Sequence, residues 1–237
     1  MWTKYYLSTL IGAIGEPLIF LWALGYGMGR YIVHIDGMSY LEFMAPGLWI
    51  TACMNASSLE CTFNTFTRLS TQKTYDAIIA TPISPAEIAA GDVLFGATRS
   101  FITGNLVLAI YFLFGLIHHW SALFIPFIGF VVGLFFGSLG LCMTALARSY
   151  DFFTYYFILV LTPALMLTGV FFPVSNLPQP LRDIVSWVPL TQMVSITRDI
   201  FLNRWQWSSV GYIIYTLAFS LLLFLVAAKL MHRRLIK

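Results

Sequence analysis

The chain has 237 residues, of which 59% are hydrophobic and 10% charged, whereas ordinary soluble domains are roughly 45 to 50% apolar and about 25% charged. That balance excludes a normal soluble fold, and a net charge of +3 with dispersed basic residues excludes a nucleic-acid surface as well. Residues 100–147, 152–181 and 205–228 carry no charge at all, and about 20 apolar residues suffice to cross a bilayer. Cys53, Cys61 and Cys142 lie in apolar stretches without disulfide or metal-ligand spacing, so they read as buried free thiols.

Helices are the open structures that satisfy their own backbone in lipid, so the expected architecture is all-α and polytopic. It forms one transmembrane domain over residues 1–237 with six spans. The first runs from about Leu7 to Gly29 and holds Glu16 beside Pro17. It lacks a small-residue cleavage motif and leads into further spans, so it is not read as a signal peptide. The second, about Leu41 to Phe66, carries Glu42 and Glu60.

In the connection Lys73–Glu87, Tyr75 to Ala80 allow about one and a half helical turns before Pro82. This short helix, with an apolar and an acidic face, either merely turns the chain or docks onto a motor subunit. His118, His119, Trp120 and Ser121 divide the next apolar run into spans at about Ile88 to Ile117 and Leu123 to Leu146. The fifth span covers about Phe152 to Phe172. Pro173, Pro178, Pro180 and Pro189 then interrupt an apolar stretch in which Ile184–Val188 and Met193–Leu202 are too short to span. They suit re-entrant or interfacial helices near the outer leaflet, or a simple extracellular cap. The sixth span is about Val210 to Met231.

Lys and Arg in short loops set orientation. With both termini cytoplasmic, Lys4, Arg68, Lys73, Arg148, Lys229, Arg233, Arg234 and Lys237 lie inside, and Arg30, Arg182, Arg198 and Arg204 outside. Within the spans, Glu60 and Arg99 share a depth on antiparallel segments and carry opposite charge, so a buried pair is one expectation; separate positions facing a wet vestibule are the other. Gly129, Gly133 and Gly137 form a small-xxx-small face, repeated at Gly25 and Gly29, that serves packing within one subunit or dimerisation. Aromatics crowd the start of span five, Phe152 to Phe157, as interfacial anchors or as a substrate surface.

No Gly precedes a Lys, so the phosphate loop is absent and any nucleotide is bound by another polypeptide. Neither a Gly-x-Ser-x-Gly elbow nor a His-Glu-x-x-His site occurs, and the neighbouring His118 and His119 read as a wetted interface rather than metal ligands. Two other function classes stay open. An ion-coupled carrier would use Glu16, Glu42 and Glu60, though no repeated half is visible. An intramembrane lipid-modifying enzyme would use His118, His119, Asp183 and Asp199.

Several stretches, in order, carry a resemblance: Glu16-Pro-Leu-Ile-Phe-Leu-Trp-Ala-Leu-Gly-Tyr-Gly-Met-Gly29, Phe43-Met-Ala-Pro-Gly47, Lys73-Thr-Tyr-Asp-Ala-Ile-Ile-Ala-Thr-Pro82, Ala147-Arg-Ser-Tyr-Asp151, Thr168-Gly-Val-Phe-Phe-Pro173 and Val188-Pro-Leu-Thr-Gln192. The chain resembles the membrane subunit of ABC-2-type exporters, especially the permease of nodulation-factor (lipo-chitooligosaccharide) export. The resemblance implies a type V-like exporter fold in a bacterial inner membrane. Two permeases would work with two ATPase subunits that hold ATP and Mg, and this chain itself would bind no cofactor or metal and have no catalytic residue.

It implies a coupling helix at about Thr74 to Thr81, with Thr74, Tyr75, Asp76, Ala77, Ile78, Ile79 and Pro82 at the ATPase. It implies a re-entrant gate over about 173–203, marked by Pro173, Pro178, Pro189 and Leu190. Spans two and five would face the partner copy, so Asn55, Phe63, Tyr155, Tyr156 and Leu159 are candidates for the path of an amphipathic substrate, alongside membrane lipid. Only about Trp2 to Ser8 precedes span one, where the family has a longer amphipathic helix.

Overall fold

A computed structural model describes residues 15, 17–25, 27–32, 34–35, 37–117, 119–204 and 207–236, without the side chains of residues 120 and 208. Glu16 and His118 therefore lie outside the described residues, as does the beginning of the expected first span. Residues 17–25 are helical. The first bounded helix, α1 (Tyr40–Leu59), starts at a reciprocal cap in which the Glu42 backbone N–H donates to Ser39 and the Glu42 carboxylate accepts from Ser39. This carboxylate is an N-terminal cap rather than an isolated charge in a span.

α1 continues without a break through a π-helical turn, Glu60–Asn64, into α2 (Thr65–Ser70). Lys73, in the left-handed region at φ 50°, turns the chain into the short α3 (Thr74–Ile79). Then comes α4 (Pro85–Leu113), whose start repeats the reciprocal cap, here between Ser84 and Glu87, and adds Pro at the first turn. Gly115, at φ 67°, reverses the chain into α5 (Ile125–Leu146). The expected fifth span is α6 (Asp151–Tyr156), a second π turn at Phe157–Leu161, and α7 (Thr162–Leu167). It ends earlier than expected, because Gly169 at φ 86° cannot continue a right-handed helix. The proline-broken stretch folds as α8 (Gln179–Ser186) and α9 (Pro189–Phe201), and α10 (Ser208–Leu235) closes the chain.

Among the described residues, three helices are long and apolar enough to cross a membrane: Pro85–Leu113, Ser121–Leu146 and Ser209–Leu235, with Asp151–Leu167 apolar but shorter. The second expected span does not join them, for a physical reason. α1 is the central helix, packed against α4, α5 and α9, and it carries Thr51, Asn55, Ser57 and Ser58 where a lipid-facing helix would carry aliphatic residues. α10 is the opposite case, with only 17% of its most apolar window buried.

The glycine series of α5 explains the tight centre. A Cβ at Gly133 would lie 2.7 Å from the Ala97 Cα of α4, and one at Gly129 would lie 3.0 Å from the Trp49 ring of α1. Close approach also turns backbone carbonyls into acceptors: Ser57 Oγ donates to the Gly133 carbonyl at 2.6 Å, Ser100 Oγ to that of Gly129 at 2.8 Å, and Trp49 Nε1 to that of Gly104 at 2.7 Å. The small-residue face thus packs inside this chain. Gly25 meets Leu41, whereas Gly29 has open space where a side chain would be.

Candidate functional site

The π turn of the central helix carries Glu60, which is 1% exposed. A carboxylate so deep in an apolar bundle needs compensation, and two guanidinium groups supply it. Arg68, two turns further on, reaches one carboxylate oxygen at 3.0 Å, and Arg99 of α4 pairs with the other, which also accepts from Asn64 at 2.7 Å. Arg68 extends the network to Asp92 of α4 at 3.2 Å and donates to Thr65 at 3.0 Å. On its other oxygen Asp92 accepts from the hydroxyl of Tyr75 at 2.6 Å. Two carboxylates and two guanidinium groups balance, and the chain Tyr75–Asp92–Arg68–Glu60–Arg99 joins α3, α4 and the π turn.

This places the residues of the short helix on two faces. Tyr75 is 2% exposed, and its apolar side packs with Ile78 and Ile79 against Ile88, Leu141 and Met231. Burial, then the neighbouring Asp92 charge, hold its hydroxyl well above the ordinary phenol range, so it stays a donor to Asp92. Asp76, Ala77 and Pro82 are exposed and Thr74 is half-buried. A partner docking from outside would therefore meet Asp76, Ala77 and Pro82, while Tyr75 anchors the helix to the bundle from within. Sequence reasoning did not include Asp92 or Arg68 among the site residues; their only signal was a carboxylate and a guanidinium close to the two span ends that flank the short helix.

The five candidates for a substrate path separate. Tyr155 and Leu159 are 64% and 68% exposed on one face of the 151–167 helix. Tyr156 points inward, 2% exposed, and shares a hydrogen bond with Ser58 at 3.1 Å. Phe63 belongs to a ring cluster with Tyr150, Phe153 and Phe157, its centroid 5.1 Å from that of Phe153, and Asn55 is half-buried. An apolar cavity of about 520 Å³ lies elsewhere, between Phe20, Leu24, Tyr40, Met166, Phe171 and Asn176, and none of the five lines it.

At the opposite end of the bundle, Pro189 and Leu190 open α9 and are buried, whereas Pro173 is half-buried and Pro178 exposed. Thr191 donates to the Val185 carbonyl at 2.7 Å and Tyr215 to that of Trp187 at 3.0 Å, so the two short helices are pinned to each other and to α10. Asp183 is exposed, and burial raises Asp199 against the opposing pull of Arg198 and Arg204.

A buried helix carrying a compensated charge network, linked to an exposed short helix and surrounded by membrane-length apolar helices, is the anatomy of an integral membrane transport subunit. The chain belongs to the ABC-2 type transporter family, whose profile matches residues 2–202. It is similar to nodulation protein J of Rhizobium leguminosarum bv. viciae, 34% identical over 100% of this chain and 91% of that protein. It is also similar to nodulation protein J of Rhizobium meliloti (strain 1021), 34% identical over 99% of this chain and 89% of that protein. A more distant relative is the inner membrane transport permease YadH of Escherichia coli (strain K12), 26% identical over 84% of this chain and 78% of that protein. No solved structure matches the chain.

Proposed function

We propose that this permease is the membrane half of an ATP-driven exporter, working as a pair of copies with two separate ATPase subunits that bind ATP and Mg. In this reading the chain crosses the bacterial inner membrane six times with both termini in the cytoplasm, and α3 is the coupling helix. Closure of the ATPases pushes on Asp76, Ala77 and Pro82. Tyr75 and the charge network carry that displacement to the π turn of span two and to span three, and an amphipathic molecule leaves between the two copies. A lipid-linked or free oligosaccharide, a lipid or a drug would each fit; the resemblance to nodulation-factor (lipo-chitooligosaccharide) export permeases favours a lipid-modified oligosaccharide.

The observation that carries this reading is the junction itself: a buried Tyr75 hydroxyl 2.6 Å from Asp92, which is bridged by Arg68 to Glu60. An ion-coupled carrier fits the same residues less well. Glu42 is engaged in a helix cap and Glu60 is bound by two arginines, so both carboxylates are already committed to structural contacts.

The test uses proteoliposomes holding the permease and its ATPase, with a fluorescent lipid-linked oligosaccharide as probe. ATP should drive its movement, and Asp76→Lys combined with Ala77→Lys, both on an exposed face, should abolish movement while the permease still folds. Movement driven by a proton gradient without ATP, or lipid turnover by the permease alone, would contradict the reading.

A further inference from the structure

Two sequence stretches with no part in the cytoplasmic junction meet at the other end of the bundle. Phe43-Met-Ala-Pro-Gly47 lies near the start of α1, and Thr168-Gly-Val-Phe-Phe-Pro173 follows α7. They touch at Gly47, where a Cβ would lie 2.9 Å from the Val170 Cα; only the absent side chain permits that approach. Val170 and Phe43 are both fully buried. The positive φ of Gly169 turns its carbonyl off the helical path.

Both stretches present a carbonyl to the same side chain, Arg198 of α9. Its guanidinium donates to the Phe43 carbonyl at 3.2 and 3.3 Å and to the Gly169 carbonyl at 2.6 Å, and its Cζ lies 3.8 Å from the centroid of the Phe43 ring. A planar fork can bond two carbonyls and stack on a ring at once, and an ammonium cannot.

We propose that Arg198 is a positioning residue that ties the outer end of span two to the end of span five, so that the two move as one wall of the export path. The tie itself stands on this geometry; its consequence for transport rests on the exporter reading. Displacement entering at the cytoplasmic end of α1 then reaches the segment after α7 through Arg198, rather than being lost in the turn at Gly169.

The test uses the full chain with its ATPase subunits in proteoliposomes, with Cys53, Cys61 and Cys142 replaced by Ala and Val170→Cys as reporter. With Arg198 intact, a membrane-impermeant maleimide should label the buried thiol slowly. Losing the charge-assisted bonds in Arg198→Met should raise the labelling rate about tenfold, with Arg198→Lys in between. Transported probe per ATP should fall in the same order while ATP turnover without substrate holds within about twofold, since a charge-assisted tie remote from the ATPase affects only the coupled step.

A purely structural role would lower ATP turnover and transport together and leave their ratio unchanged. An unchanged labelling rate in a folded Arg198→Met variant would overturn the tie. Should that variant not fold, Arg198→Gln and Arg198→Lys give the same comparison. If the unsubstituted complex shows no ATP-driven movement, the exporter reading fails, and the labelling rates still decide the tie.

Discussion

The two ends of this bundle hold charge in different ways. At the end bearing α3, Arg68 and Arg99 meet Glu60 and Asp92, and each of these four charges faces an opposite one. At the end bearing α9, the Arg198 guanidinium includes two backbone carbonyls and an aromatic face among its contacts. The first arrangement is sensitive to which charges are present, because removing one strands another in an apolar surround. The second depends on geometry, on a carbonyl being turned and a ring being flat. On the proposed exporter reading, force would enter at one end and an exit would be shaped at the other, which gives reason for both: a joint between helices at the first, and a brace that keeps two of them together at the second.

The largest effect should come from breaking the balance. Arg68→Met leaves Glu60 with Arg99 as its one charged partner, beside the Asn64 amide, and Asp92 with the Tyr75 hydroxyl. Removing one member of a buried pair costs about 3 to 5 kcal/mol, and with Arg68 about a quarter exposed the loss should be about 2 to 3 kcal/mol. Thermal unfolding in detergent measures it. Adding Asp92→Asn to Arg68→Met should recover part of the loss, and a double variant no better than the single one would count against a coupled network.

Next comes the middle against which both ends work. Gly133→Val would drive a side chain onto the Ala97 backbone and should cost about 1 to 3 kcal/mol of overpacking, whereas Gly29→Ala, with open space around it, should change the melting temperature little. Equal effects at the two glycines would mean that the face of α5 is not the packed one.

The smallest effect is expected from acid. The cap bonds from Ser84 hold the Glu87 carboxyl below the usual glutamate range. A depressed folded value means that its contribution is present above the unfolded value and fades as pH falls through the folded one, below about pH 4. A slightly steeper acid loss of melting temperature than in Ser84→Ala would register it; identical acid profiles would remove the cap from the account.

How much of this was legible depends on whether a feature is local. Opposite charge at matched depth was enough to bring Glu60 and Arg99 together on paper, and the prolines and short apolar runs announced that α8 and α9 do not span. Arg68 and Arg198 read only as interfacial cations that orient the chain; Asp92 lies 24 residues from Arg68 in sequence and Phe43 lies 155 from Arg198. The π turns at Glu60–Asn64 and Phe157–Leu161 left no trace in the hydrophobic pattern, since Phe-Ile-Leu-Val-Leu reads the same with or without one extra residue in the turn. The six-span reading also met a physical limit: a helix buried on all sides by its own bundle needs little aliphatic surface, so hydropathy understates α1.

The central claim is that α3 is connected to the spans through Tyr75 rather than resting on them. Tyr75→Phe keeps the ring and the exposed docking face and removes the one hydroxyl that donates to Asp92. Probe moved per ATP hydrolysed, measured in proteoliposomes with the ATPase subunits, should fall about tenfold or more, in line with a lost buried hydrogen bond to a charged group worth about 1.5 to 3 kcal/mol, while ATP hydrolysis continues. An unchanged ratio in a folded Tyr75→Phe permease would contradict the claim.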